Sequence, residues 1–273
     1  MSFAITGIIV IGMTIVMVSG GIDISVGAAM VLVMTVLGTL FKSGVNVWIA
    51  AVIALVIGAL VGVINGFFIA RVGLSAFITT LATYSIARGA AFVITQGTLL
   101  SLFDLPANFR AIGKGYIGGV PYVIIIFVAL VVIADFMMRR SAVLRKVAYM
   151  GASEKAAVFS GVDVRLMRWG TYILCSFLAG VAGVLNVARF GTAFPSFGAG
   201  TELLAISACV IGGASLAGGV GTILGSVVGI ALLAIVTTSL ILLDVSIYWQ
   251  ELASGLILLF AVSVDYLTNM RSK

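Results

Sequence analysis

Long, nearly uninterrupted runs of apolar residues are the feature that most constrains this chain. A helix needs about 20 predominantly apolar residues to cross the hydrocarbon core of a bilayer. Charged residues make up only 9% of the 273 residues, whereas soluble domains carry about 25%. The sequence therefore predicts an all-α, polytopic membrane helix bundle, organised as a single transmembrane domain over residues 1–273. The runs give nine candidate spans, at roughly 3–19, 24–41, 47–70, 75–95, 121–138, 170–188, 201–217, 222–242 and 247–267.

Glycines punctuate this pattern in two ways. The second and seventh candidate spans are short and flanked by glycine, so we expect either of them to be broken or re-entrant. Elsewhere, glycines recur at every fourth residue, which places them on one helix face. The two rows are Gly58, Gly62 and Gly66, and Gly221, Gly225 and Gly229. Small residues on a shared face let helix backbones approach closely in a membrane, so both rows predict tight helix packing.

The distribution of basic residues predicts how the bundle is oriented. The longest polar stretch, residues 139–168, holds seven basic residues and two acidic ones, and the positive-inside rule places it in the cytoplasm. Four spans later, the tail with Arg271 and Lys273 is expected on the same side, so the C-terminus is cytoplasmic. Five spans precede the loop, which puts Met1 outside. We therefore expect either a chain shortened by one N-terminal helix or a true start that lies upstream.

The sequence lacks the residues that several kinds of chemistry require. The sequence has no histidine, no Gly-x-x-x-x-Gly-Lys-Ser/Thr phosphate loop and no Cys/His metal cluster. We therefore predict a transport protein and not an enzyme, with no cofactor or metal bound by this chain. The net charge of +6 follows the membrane topology and does not indicate a nucleic-acid partner.

Charges near or within the spans bear on how transport would be driven. Ion-driven carriers usually place carboxylates inside their spans. Here the acidic residues fall near predicted span ends, which argues against that mechanism: Asp23, Asp135, Glu202, Asp244, Glu251 and Asp265. Arg88 lies well inside a predicted span and should face a partner or a water-filled cavity. Structural pairing and a role on the transport route are both open for Arg88.

Several segments, taken in order along the chain, resemble one known family. They are 12–14 (GMT), 20–27 (GGIDISVG), 65–66 (NG), 79–89 (TTLATYSIARG), 151–161 (GASEKAAVFSG), 212–219 (GGASLAGG) and 249–250 (WQ) with the last span. Each segment is weak alone, but together they cover essentially the whole chain. The sequence resembles the permeases of ribose-type ABC sugar importers.

This resemblance implies a setting in the bacterial inner membrane. Permeases of the family have about ten spans and begin one helix earlier, in agreement with the topology above. Two permease chains, identical or related, pair and dock onto ATP-hydrolysing subunits that bind ATP and Mg²⁺. A periplasmic binding protein delivers the sugar. The resemblance leaves the identity of the sugar open.

The basic loop contains a predicted helix that the resemblance implies is the coupling element to the ATPase. Ser153 is a good N-cap, Glu154 suits the first turn, and Gly161 is a natural stop. Small residues on this helix suit close docking, although a solvated surface helix is the alternative. The candidate coupling residues are Gly151, Ala152, Ser153, Glu154, Ala156, Ala157, Ser160 and Gly161.

The transport route is harder to predict from residue types. A neutral sugar needs polar but uncharged groups, and the candidates are Asn65, Thr79, Thr80, Thr83 and Asn186, together with Arg88. Threonine in a span also commonly bonds its own helix backbone. A stand-alone secondary transporter or channel for a small polar solute is the alternative function, and a non-transporting membrane scaffold is a third.

Overall fold

The computed structural model describes residues 2–271, apart from the side chains of residues 2, 247, 251, 264 and 267–271. Lys273 and the side chains of Arg271 and Glu251, which figured in the sequence predictions, lie outside the described part. The helices are α1 (Ser2–Val18), α2 (Val26–Lys42), α3 (Val47–Gly66), α4 (Ala76–Thr95), α5 (Ala107–Lys114), α6 (Tyr122–Arg140), α7 (Ala142–Ala152), α8 (Glu154–Phe159), α9 (Val164–Phe190), α10 (Thr201–Ile211), α11 (Ile223–Leu242) and α12 (Ile247–Arg271). A π-helix, Phe67–Val72, extends α3.

The predicted all-α bundle is confirmed, and each of the nine predicted spans coincides with a helix. By length and composition, α3 with its π-helix, α4, α6, α9 and α11 can each cross a membrane, and α1, α2 and α10 are shorter apolar helices. The seventh span was predicted too long. Its helix, α10, ends at Ile211 because the chain turns at Gly212 and Gly213, the latter with φ of +86°.

The segment between α4 and α6 forms a small cap at one end of the bundle. It contains α5, a hairpin of β2 (Tyr116–Ile117) with β3 (Val120–Pro121), and β1 (Leu100–Ser101), which pairs antiparallel with β4 (Thr192–Ala193). This cap and the basic loop lie at opposite ends of α6. We call the end that carries residues 139–168 the basic-loop side.

Two helices form the centre of the bundle. Every residue of α2 from Val26 to Gly38 is buried, and α9 packs against α1, α2 and α3. A helix that is apolar all round is expected in the interior of a bundle. The expected break within the second span is not found, because α2 is continuous from Val26 to Lys42. The helix is preceded by a non-helical segment, residues 19–25, in which Asp23 and Ser25 are fully buried.

The first glycine row packs as predicted. A Cβ added at Gly62 would lie 2.7 Å from the Cα of Ile173 in α9, and one added at Gly66 would lie 3.0 Å from the Cα of Trp169. Helix α3 therefore meets α9 backbone to backbone.

The second row was predicted only in part. Gly225 and Gly229 pack against Gly212 and Ala208 at the end of α10, as expected of a shared face. Gly221 is an exception to this face, because α11 begins only at Ile223 and Gly221 lies in the loop before it, with φ of +155°.

Candidate functional site

The basic loop folds into two helices, and the second is the predicted coupling helix. Helix α8 spans Glu154–Phe159, where the sequence predicted 154–160. The Oγ of Ser153 accepts a hydrogen bond from the backbone N–H of Ala156 at 3.3 Å, so the predicted N-cap is confirmed. Gly161 ends the turn with φ of +76°. The local signals in the sequence were therefore sufficient to place this helix.

The faces of α8 differ from what the small residues suggested. Ala157 is only 3% exposed and packs inward, so it supports the helix against the bundle. Ala156 and Ser160 face outward. The most prominent outward group is Phe159, which is 91% exposed, next to the half-exposed Val158. Sequence reasoning missed Phe159, whose signal was an aromatic residue in the last turn of the predicted helix.

An ion pair joins α8 to the first turns of α9. Glu154 accepts a 2.7 Å hydrogen bond from Nη2 of Arg168, whose side chain is 22% exposed. Surface pairs of this kind stabilise a protein by about 0–1 kcal/mol. The pair therefore helps to orient α8 without being needed for the fold.

Four glycines connect the basic loop to the bundle, and we call them the glycine junction: Gly20, Gly151, Gly218 and Gly219. The N–H of Gly219 donates to the carbonyl of Val18 at 2.9 Å. A Cβ added at Gly151 would lie 2.6 Å from the nitrogen of Gly219 and closer still to the carbonyl oxygen of Val18. One added at Gly218 would lie 2.7 Å from the Cα of Gly20. The end of α7, the end of α1 and the loop before α11 thus touch mainly through backbone atoms, with the Cβ of Ala152 as the side-chain atom nearest to Gly219.

This junction brings together three sequence motifs that are far apart along the chain. The motifs at 20–27, 151–161 and 212–219 each supply at least one of its glycines. Because no side chain separates the backbones at Gly151 and Gly218, the three segments are in direct contact there. The arrangement can carry a movement of the basic loop into the centre of the bundle.

A buried polar group lies in the non-helical segment that follows the junction. Oδ1 of Asp23 accepts hydrogen bonds from the backbone N–H of Ser25 at 2.9 Å and from its hydroxyl at 2.6 Å. Asn65 on α3 donates from Nδ2 to the same hydroxyl at 2.8 Å. Of the predicted route residues, Asn65 therefore belongs to a buried network, which links the segment to α3.

Arg88 has a specific partner, which the sequence left open. Its guanidinium donates to the carbonyls of Pro195 at 3.1 Å and Phe197 at 3.3 Å, and lies 5.1 Å from the ring centre of Tyr84. These bonds connect α4 to the loop before α10. Arg88 is thus hydrogen-bonded to backbone carbonyls through its two terminal nitrogens, while its Nε is buried without a hydrogen-bond partner.

Glu202 lies close to this loop and is more deeply placed than its position near a span end suggested. It is 7% exposed, and its Oε1 accepts a hydrogen bond from the N–H of Gly200 at 3.2 Å. A Cβ added at Gly27, in the first turn of α2, would collide with its Oε2. The beginnings of the short helices α2 and α10 therefore meet, with a carboxylate at the positive end of α2.

The remaining route candidates are not gathered at one place within a single chain. Thr83 donates to the carbonyl of Thr79 at 2.9 Å, and Thr80 donates to that of Ala76 at 2.8 Å, as expected for threonine in a span. Asn186 on α9 is buried, with its Nδ2 3.4 Å from the sulfur of Met30. A role for these residues in transport stays a prediction.

Comparison with known proteins bears on the whole chain. Residues 1–262 match the family described as the permease component of branched-chain amino acid transport systems. The chain is 36% identical over 264 residues to the ribose import permease protein RbsC of Escherichia coli, covering 96% of this chain and 82% of that protein. The RbsC protein of Bacillus subtilis is 36% identical over 262 residues, covering 96% and 81%.

A relative named for a different sugar also matches. The L-arabinose transport system permease protein AraH of Escherichia coli is 33% identical over 265 residues, covering 97% of this chain and 80% of that protein. No solved structure matches the chain.

Proposed function

The chain belongs to this family of ABC-transporter permease components, and from that premise we propose that it carries a monosaccharide or similar small polyol across the bacterial inner membrane. Its relatives are named for ribose import and L-arabinose transport, which supports a pentose or a sugar of similar size as cargo. ATP hydrolysis takes place, in this proposal, on a separate subunit that binds ATP with Mg²⁺. This chain itself binds no cofactor.

The observation that carries the proposal is the glycine junction. Its three segments hold α7 against the end of α1 and the loop before α11 without intervening side chains. A subunit that docks on α8 can therefore shift these elements as a unit. Rigid-body movement of packed helices is how many transport proteins alternate between inward-facing and outward-facing states.

The outward face of α8 is the proposed contact with the ATPase. Phe159 and Val158 expose apolar surface next to Ala156 and Ser160. An exposed aromatic side chain can fill a pocket on a partner, and such anchors supply much of the energy of protein interfaces. The seven basic residues of 139–168 support a cytoplasmic position for this face, where ATP is available.

The other partners follow from the same proposal. A periplasmic sugar-binding protein delivers the sugar at the end formed by residues 96–121, and a second permease chain, identical or related, completes the membrane unit. Helix α4 carries Thr79, Thr83 and Arg88, with many apolar side chains exposed on its outer face. Lipid or a second permease chain covers that face. The route for the sugar lies along the membrane unit that the two permease chains form.

Co-purification and uptake together test the proposal. The chain would be expressed with its neighbouring genes. ATP hydrolysis would be measured on the complex purified in detergent, and uptake of labelled ribose, L-arabinose and D-xylose would be measured in the intact cells. We expect a stoichiometric ATP-hydrolysing partner and uptake that stops with orthovanadate. Uptake without such a partner, abolished by collapsing the ion gradient, would instead establish a stand-alone secondary transporter.

A further inference from the structure

A cavity of about 600 Å³ lies between α10, α11 and α12, at the ends of these helices on the basic-loop side. Apart from Ser215 and Asp265, the side chains that line it are apolar. Protein interiors leave few voids larger than a water molecule, whereas volumes of ~300–1,000 Å³ are typical of ligand sites. The volume of this cavity therefore indicates a bound molecule in place of packed side chains.

The cavity follows the helices inward and is open toward the bilayer. Its wall extends along α12 from Ile257 to Asp265, which is about 12 Å of helix. Val210 and Ala261 are 7% and 8% exposed and form its floor, whereas Phe260 is 72% exposed and lies at its edge. A molecule dissolved in the membrane can therefore enter from the side, without crossing the bundle.

The lining identifies the main part of this molecule. A sugar needs several polar partners, which the floor and walls of the cavity do not offer. Cavities lined by aliphatic and aromatic side chains stay dry and bind apolar molecules. The elongated apolar shape, open to the hydrocarbon of the bilayer, suits the acyl chain of a phospholipid.

Asp265 identifies the headgroup. It lies at the end of the cavity next to the loop before α11, where its Oδ2 accepts a hydrogen bond from the N–H of Leu216 at 3.4 Å. An ionised carboxylate has about four acceptor positions on its two oxygens, so Asp265 can bind a cationic group in addition. No lysine or arginine of the described chain lines the cavity. A headgroup with an ammonium group is therefore favoured there over one whose only charge is a phosphate.

We propose that this cavity binds a phospholipid with a primary-amine headgroup, phosphatidylethanolamine. One acyl chain lies between α10, α11 and α12, and the ammonium group pairs with Asp265. The loop at this end of the cavity also carries Gly218 and Gly219 of the glycine junction, so the bound lipid braces α12 against the junction. Binding of the lipid does not depend on whether the chain transports a sugar.

Lipid retention and thermal unfolding of the purified protein test this inference. The delipidated protein in dodecyl maltoside would be titrated with dioleoyl phosphatidylethanolamine or dioleoyl phosphatidylglycerol, and bound lipid would be counted by native mass spectrometry. We expect a single phosphatidylethanolamine molecule per chain. At ~100 times its dissociation constant, it should raise the melting temperature by about 5–10 °C. Phosphatidylglycerol should bind ~10-fold more weakly or less, because its charge is like that of Asp265.

Two substitutions, each with a matched control, locate the lipid. Ala261→Phe fills the floor of the cavity and should abolish retention, whereas Leu259→Phe, at an exposed position of α12 outside the lining, should leave it intact. Asp265→Asn keeps the shape and should remove the preference for phosphatidylethanolamine. Asp244→Asn, exposed before the other end of α12, should keep that preference.

Three results would overturn the proposal. Retention that persists in Ala261→Phe would place the lipid elsewhere on the bundle. Equal binding of the two lipids by the unaltered protein would show that the carboxylate selects no headgroup. Should Ala261→Phe not fold, the headgroup preference decides alone, and a preference that survives in Asp265→Asn would exclude the pairing with Asp265.

Discussion

Replacing Gly151 with alanine adds one methyl group at the tightest point of the glycine junction. The new Cβ would lie 2.6 Å from the nitrogen of Gly219 and closer still to the carbonyl of Val18. Atoms in ordinary contact are about 3.5–4.0 Å apart, so one backbone must retreat by about 1 Å. Overpacking of this kind costs about 1–3 kcal/mol. The upper part of that range applies, because both neighbours are main-chain atoms that cannot rotate away.

A matched control is available in the same part of the molecule. Gly170 is in the second turn of α9, and a Cβ added there meets no atom within 4 Å. Alanine in place of glycine in an open helix position is favourable by about 0.5–1 kcal/mol. In a chain of this size, each kcal/mol of stability shifts the melting temperature by about 2–4 °C. Gly151→Ala should therefore melt about 5–10 °C lower than the unaltered protein, and Gly170→Ala slightly higher.

Tryptophan fluorescence recorded during heating in detergent measures the difference in melting temperature. Uptake measurements then test whether the junction matters for transport. Gly151→Ala leaves Phe159 and the outward face of α8 unchanged, so the ATPase should still co-purify. Uptake should nevertheless fall by ~10-fold or more, because the displaced α7 no longer moves α1 and the loop before α11 together. A variant that melts and transports like the unaltered protein would refute both the tight packing and the transmission role.

Three further substitutions test other parts of the description. Phe159→Glu should abolish co-purification of the ATPase with little change in melting temperature. Phe103 is also exposed, in the segment between α4 and α6, and Phe103→Glu should leave co-purification intact. Loss of co-purification in both variants would point to a general defect. Arg88→Gln removes the charge that holds two loop carbonyls and should lower uptake several-fold while the ATPase stays bound, so normal uptake would show that the loop needs no such anchor. Glu154→Gln breaks the surface pair with Arg168 and should lower the free energy of unfolding by less than about 1 kcal/mol. A larger loss in chemical or thermal unfolding would contradict the exposed position of this ion pair.

Some features of the bundle could be predicted because their signals are local. The apolar runs placed all nine predicted spans on helices. The first glycine row packed as its spacing indicated, with Gly62 against α9. Ser153 and Gly161 marked the ends of α8, since a cap and a stop depend only on the residues next to them. The end of α10 was misplaced because apolar residues continue past Ile211, beyond the glycines that turn the chain.

Other features depended on contacts between distant segments. The sequence placed Asp23 and Glu202 at span ends, where acids are ordinary, yet both are buried. It offered Ala157 as a docking surface, whereas the helix turns that residue inward and Phe159 outward. Arg88 could not be assigned a partner because its carbonyl acceptors lie more than 100 residues further along the chain.

The amino-acid sequence by itself determined that this is a membrane helix bundle, where its nine apolar spans lie, and that a short capped helix is present in the basic loop, whereas α5 and α7 were not predicted. Hydropathy, helix caps and glycine spacing act over a few turns of one helix, so they can be recognised without knowing the neighbours. The tertiary structure decided that Gly20, Gly151 and Gly218 meet, and that Asp23 and Asn65 share a buried network. Those contacts join residues that are 40 to 200 positions apart, and they exist only because the packing of α1, α3, α7 and α9 brings the backbones together.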